Sequence, residues 1–127
     1  EGVQGRFYKY SLTKDTEGIL QVSIKECLRE IVEDIRNKIP KPLISEKFHN
    51  MIINIVHQVC QLMRQAYAIN AVTLSGGCFL NTYLLEGCIH QLTKEGFNVY
   101  FHQKFPTNDG SISFGQAVHG LSVLGER

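Results

Sequence analysis

The sequence of 127 residues has no tryptophan and only three prolines. No apolar run approaches the roughly 20 residues that a membrane-spanning helix needs. It also lacks an excess of charge of either sign, since thirteen Lys and Arg stand against twelve Asp and Glu. That balance gives no support for nucleic-acid or membrane-surface binding through bulk electrostatics. Cysteine is sparse, and Cys27, Cys60, Cys78 and Cys88 show neither C-x-x-C spacing nor a zinc-finger pattern with histidine. None of the five histidines stands four residues from another, so no two-histidine metal face exists on a helix. The opening Glu1-Gly2-Val3-Gln4-Gly5 has neither the basic nor the apolar region of a signal peptide. It also lacks an initiator methionine, which leads to the expectation that a longer chain was cut here. With no sign of secretion, reduced thiols and a cytoplasmic location are expected.

What is present is ordinary globular composition, 43% hydrophobic and 20% charged. The length suits one domain, so 1–127 is expected to be a single domain. Residues 3–10 and 19–23, rich in aromatic and β-branched side chains, read as two strands joined by a hairpin-like loop. Ser23-x-x-Glu26 reads as a capping box opening a helix with Leu28, Ile31, Val32, Ile35 and Ile39 on one face, stopped by Pro40-Lys41-Pro42. Ser45 is expected to cap a helix over 45–68. Its apolar face would run Phe48, Met51/Ile52, Ile55/Val56, Val59, Leu62/Met63 and Ala66/Tyr67, buried along Phe48, Ile52, Ile55, Val59 and Met63, with Asn50, Asn54, Gln58, Gln61 and Gln65 opposite. Ala71-Val72-Thr73-Leu74 reads as a strand buried on both faces. Ser75-Gly76-Gly77 then turns the chain into a helix with Leu84/Leu85, Cys88/Ile89 and Leu92 inside and Gly96 as its stop. A strand at 97–102 and a final helix with Phe114, Val118 and Leu121 as its stripe complete the order β-β-α-α-β-α-β-α. This is an α/β pattern whose second half implies a mainly parallel sheet.

Two loops carry the chemistry. In Leu74-Ser75-Gly76-Gly77-Cys78-Phe79-Leu80-Asn81, a strand runs into two glycines and a helix start, a geometry suited to phosphate oxygens. A tight turn needing glycine explains the same residues, and neither a P-loop ending nor a dinucleotide fingerprint is present. Asp109, in Asn108-Asp109-Gly110, is placed at the same sheet edge, where a carboxylate would bind a metal or orient a ligand, although Asp-Gly is also a common turn. Ser75 has no His/Asp pattern marking it as a nucleophile. Cys78 near a helix start and His49 near the long helix's entry read more simply as packing residues.

Val72-Thr73-Leu74-Ser75-Gly76-Gly77-Cys78-Phe79-Leu80-Asn81, Gly96-Phe97-Asn98-Val99-Tyr100 and Pro106-Thr107-Asn108-Asp109-Gly110-Ser111-Ile112-Ser113-Phe114-Gly115-Gln116-Ala117 together resemble the carboxy-terminal region of the HypF carbamoyltransferases. The likeness runs from about residue 20 to the end, with Cys78 replacing a common Val and Leu80 a common Gln. It implies the second half-domain of an actin-like, sugar-kinase-like (ribonuclease H-like) fold shared with TsaD-type proteins. It further implies an enzyme of [NiFe]-hydrogenase maturation that makes carbamoyl-adenylate from carbamoyl phosphate and ATP. The carbamoyl group then passes to the carboxy-terminal cysteine of HypE for cyanide ligand synthesis. By motif, Gly76, Gly77 and Asn81 would contact the nucleotide. Asp109 would ligate a divalent zinc or iron ion, whose histidine ligands lie in upstream regions of the parent chain absent here, so this stretch alone is expected to be inactive. A TsaD-like tRNA threonylcarbamoyltransferase or a non-catalytic interaction module are the alternatives. An ATP-pyrophosphatase would place Asp-Ser where Leu80-Asn81 stands.

Overall fold

The computed structural model describes residues 7–125. Its elements are β1 (Ser11–Lys14), β2 (Leu20–Ser23), α1 (Lys25–Arg36), α2 (Lys41–Tyr67), β3 (Ala71–Leu74), α3 (Thr82–Lys94), β4 (Asn98–Phe101) and α4 (Ile112–Gly125), with 3-10 turns at Gly77–Leu80 and Asp109–Ser111. The order matches the pattern read from the sequence. The chain divides into two compact units, Glu1–Val59 and Cys60–Arg127.

In the first unit, β1 and β2 form an antiparallel hairpin with Ser11 opposite Ser23 and Lys14 opposite Leu20. Its turn is held by Asp15, whose Oδ1 accepts the N–H groups of Glu17 at 3.0 Å and Ile19 at 2.8 Å. The strand expected over 3–10 is not found where it can be assessed. Residues 7–10 are not strand, and residues 3–6 lie outside the described residues. Aromatic content misled here because these rings fill a core instead of pairing with a neighbouring strand. Tyr8 is buried with Cys27 and Met51, and Phe7, Tyr10, Ile31, Ile44, Ile52 and Ile55 pack around them. The Tyr8 hydroxyl donates to Asp34 Oδ2 at 2.7 Å, Lys47 Nζ reaches the same oxygen at 2.8 Å, and Asn54 donates to the Tyr10 hydroxyl at 2.7 Å.

The helix ends also differ from expectation. Residue Ile24 caps α1 without any side-chain bond, so the Ser23–Glu26 capping box does not form. Ser23 is still paired to Ser11 in the hairpin ladder, which holds its backbone extended. The prolines do not stop α1, which ends at Arg36 with Asn37 as its C-cap and Lys38 in the left-handed region (φ 55°). Pro40 instead opens α2: its carbonyl accepts the N–H of Leu43 and of Ile44. Pro42 falls in the first turn, where a missing N–H is tolerated. Ser45 is therefore inside α2, and its carbonyl contacts His49 Nδ1 at 2.8 Å. The buried arcs are rotated too. On α1, Cys27 is buried while Leu28, Val32 and Ile35 are exposed; on α2, Met51 is buried as its place on the apolar face implies, but Asn50, expected on the opposite face, is buried as well, as is His57.

In the second unit, β3 and β4 run parallel with Ala71 opposite Asn98 and Leu74 opposite Phe101. The core here is Leu74, Leu84, Cys88, Leu92 and Phe97. Gly96, at φ +78°, ends α3 as expected, with its own N–H bonded to Thr93 and that of Phe97 to Leu92. The Arg64 guanidinium lies 3.3 Å from the Phe97 ring centroid and donates to the Glu95 carbonyl at 3.0 Å. Strand β3 is not buried on both faces, because only Leu74 is buried and the sheet has two strands among the described residues. The α4 stripe is likewise uncovered, with Phe114, Val118 and Leu121 all exposed. All four cysteines are free thiols, and no helix among the described residues is long and apolar enough to cross a membrane.

Candidate functional site at the strand ends

Parallel strands deliver their carboxyl ends to one edge, the usual ligand edge of an open α/β sheet. The pairing of Leu74 with Phe101 therefore makes Ser75 and His102 the first residues past that edge. Their side chains meet, with Ser75 Oγ 3.0 Å from His102 Nε2.

The two polar loops singled out in the sequence are laced together. The Gly76 N–H donates to the Thr107 carbonyl at 2.8 Å, and Thr107 Oγ1 donates back to the Gly76 carbonyl at 3.3 Å. A Cβ on Gly77 would stand 4.0 Å from that of Asn108. Asn108 in turn accepts the Gly110 N–H at 3.1 Å, shaping the turn that presents Asp109.

These contacts separate the two glycines. Gly76 has φ 104° and ψ 159°, a conformation that side-chain-bearing residues rarely adopt. Its N–H is already engaged, so the fold itself explains this glycine. Gly77 has no positive φ, and an added Cβ would meet nothing closer than ordinary van der Waals distance. Nothing in the described residues demands glycine there, whereas close approach of a ligand to the backbone would. Gly77 also begins the 3-10 turn, where the first N–H groups lack intrahelical acceptors.

The helix after this turn does not begin at the glycines. Asn81 caps α3, its Oδ1 accepting the Leu84 N–H at 3.1 Å, so it has a structural task that the sequence pattern did not reveal. Asp109 is exposed at the head of its own 3-10 turn. Among the described residues no three His, Cys, Asp or Glu gather as a metal-binding group. A divalent ion takes four or more ligands, so these residues do not build a metal site by themselves, and Asp109 fits only as a contributor. Beside the edge is a pocket of about 240 Å³, lined by Leu74, Phe79, Phe101, His102, Phe105 and Thr107 among others.

The sequence pattern does not single out His102, because it stands last in the alternating stretch 97–102 that reads as a strand. Setting the ends of the two parallel strands side by side would have paired it with Ser75.

The family described as "Carbamoyltransferase, Kae1-like Domain, second subdomain" matches residues 2–116. The chain belongs to the HypF carbamoyltransferase family. It is 37% identical to carbamoyltransferase HypF of Synechocystis over 110 residues, which are 86% of this chain and 14% of that protein. It is 30% identical to a probable HypF of Methanocaldococcus jannaschii over 73% of its own length and 12% of that relative. The crystal structure of a full-length HypF in its phosphate- and nucleotide-bound form superposes with a TM-score of 0.86 at 40% identity, over 94% of this chain and 16% of that one. The α/β class expected from the sequence is thereby shown, as part of a Kae1-like carbamoyltransferase domain. The chain spans only about a seventh of the length of the HypF relatives it matches.

Proposed function

We propose that this chain is the second subdomain of a HypF-type carbamoyltransferase and forms one wall of its nucleotide site. In this reading the full-length enzyme makes carbamoyl-adenylate from carbamoyl phosphate and ATP. It then hands the carbamoyl group to the carboxy-terminal cysteine of a HypE-type acceptor in the cytoplasm. The observation that carries the reading is the lacing of Gly76 to Thr107, which gathers Gly77, Asn108 and Asp109 at the carboxyl edge of a parallel sheet. The fold match to a nucleotide-bound HypF supports it.

Each residue has a distinct task. Gly77 lets phosphate oxygens approach the backbone at a turn whose first N–H groups point out of the helix. Asn81 holds the start of α3 against this turn and offers a polar contact to the nucleotide. Asp109 contributes one carboxylate toward a divalent zinc or iron ion, the other ligands coming from elsewhere in the full-length enzyme. Fixed donors aimed at developing charge lower a transfer barrier because they need no reorganisation during reaction.

The test uses the full-length enzyme, its ATP affinity and its carbamoyl transfer to the acceptor protein. Gly77→Ala is expected to weaken ATP binding with little change in unfolding midpoint, whereas Gly76→Ala lowers stability by about 1–3 kcal/mol through backbone strain. Asp109→Asn is expected to abolish transfer with the fold intact. Wild-type ATP affinity in Gly77→Ala together with wild-type transfer in Asp109→Asn would overturn the proposal.

A further inference from the structure

The reading above leaves the Ser75–His102 pair without a role, although it stands on the same turn as Gly77. The contact joins residues 27 positions apart, and both side chains are exposed at the strand ends. Gly76 offers an incoming anion no N–H, since Thr107 holds it. Ser75 is therefore the hydroxyl donor next to the Gly77 backbone.

A serine hydroxyl has a single proton. While His102 Nε2 is unprotonated, Ser75 donates to it and has nothing left for a ligand. For Ser75 to donate to an anion while keeping its contact with His102, Nε2 must become the donor to Ser75 Oγ. A nearby negative charge favours the imidazolium over a neutral tautomer in this role. We propose that Ser75 and His102 form a proton-linked phosphate subsite. On binding, His102 takes one proton from solvent, Nε2–H donates to Ser75 Oγ, and the Ser75 hydroxyl turns to a phosphate oxygen. His102 is thus a positioning residue and Ser75 the contact. Its surroundings let His102 control the effect. From β3, β4 and α3 the pocket receives Leu74, Phe101 and Leu85, and the other walls are Phe79, Leu80, Phe105, Pro106 and Thr107. The remaining ionisable residues of the two loops, Cys78, Lys104 and Asp109, do not line it.

The subsite rests on the nucleotide reading, so the test includes Gly77→Ala to separate the two. ATP affinity of the full-length enzyme is measured from pH 6 to 8 for wild type, His102→Gln, Ser75→Ala and the double variant. ATP's own titration is common to all four. Wild type is expected to lose about tenfold more affinity than His102→Gln as pH rises, the scale of one charge-assisted hydrogen bond. Glutamine can donate to Ser75 at every pH, so its profile should be flatter. Ser75→Ala should flatten the profile as well, and the double variant should match Ser75→Ala. Parallel pH profiles in wild type and both single variants, or fully multiplicative losses in the double variant, would overturn the subsite. If that happens while Gly77→Ala still weakens ATP binding, only this inference fails. If Gly77→Ala binds ATP normally while the pH effect is present, the placement of the phosphates at Gly77 fails instead. Should His102→Gln not fold, Ser75→Ala carries the same comparison.

Discussion

At the scale of single residues, the site mixes groups that the fold requires with groups that it does not. Asn81 shows how easily the two are confused. Its cap bond to Leu84 predicts that Asn81→Ala lowers stability by about 1 kcal/mol before any nucleotide is considered. Asn81→Ser keeps a capping oxygen but shortens the side chain and removes the amide. If Asn81 also contacts the nucleotide, Asn81→Ser should restore the urea midpoint without restoring ATP affinity. Recovery of both would reduce Asn81 to a cap. The sequence motif assigns Asn81 to the nucleotide, and motif alone does not separate a helix cap from a ligand contact. Short polar side chains at helix starts suit both tasks.

At the scale of elements, burial decides which face of a helix matters. Periodicity puts both Met51 and Ile55 on the apolar face of α2, yet Met51 is fully buried and Ile55 only half-buried. Met51→Ala is therefore expected to cost about 2–5 kcal/mol in reversible unfolding, with Ile55→Ala clearly below it. Equal losses would mean that α2 is turned differently. Asp34 links the segment at Tyr8 to both helices of this unit. Its hydrogen bond from Lys47, then that from Tyr8, hold its carboxyl below the ordinary value of 3.8. Burial, reinforced by Asp34, pushes the Tyr8 phenol far up, so it stays a donor throughout the working range. A carboxyl with a depressed folded value stabilises fully above its unfolded value. That contribution is lost as pH falls below about 3.8 toward the folded value. Acid unfolding should consequently be less steep in Asp34→Asn than in wild type over this window. An unchanged slope would show that the Lys47 and Tyr8 contacts do not persist in solution.

At the scale of the whole molecule, the most informative feature is apolar surface left uncovered. In α4, Val118, Leu121 and Leu124 are 50%, 71% and 67% exposed, far from what a core stripe shows. Contiguous apolar patches of this kind promote association. The chain by itself should thus self-associate with rising concentration, and Leu121→Lys with Leu124→Lys should reduce this in sedimentation measurements. A monodisperse wild-type chain at high concentration would contradict that expectation. The stripe was legible as a pattern of 3.6-residue spacing, because periodicity records which face is made to be covered. It does not record what covers it.

The sequence by itself determined the order of elements, the parallel pairing implied by alternating strand and helix, and the two polar loops that meet at the carboxyl edge of the sheet. Each rests on local preferences: alternation in β4, apolar spacing in α3, glycine at 76 and 96 where the chain must turn. Tertiary structure alone decided that Phe7, Tyr8 and Tyr10 pack into a core in place of a strand, and that Ser23 remains in a ladder in place of capping a helix. It also brought Thr107 to Gly76 and His102 to Ser75. These contacts span 27 to 31 residues, and their energy comes from strand register and packing that no local window contains.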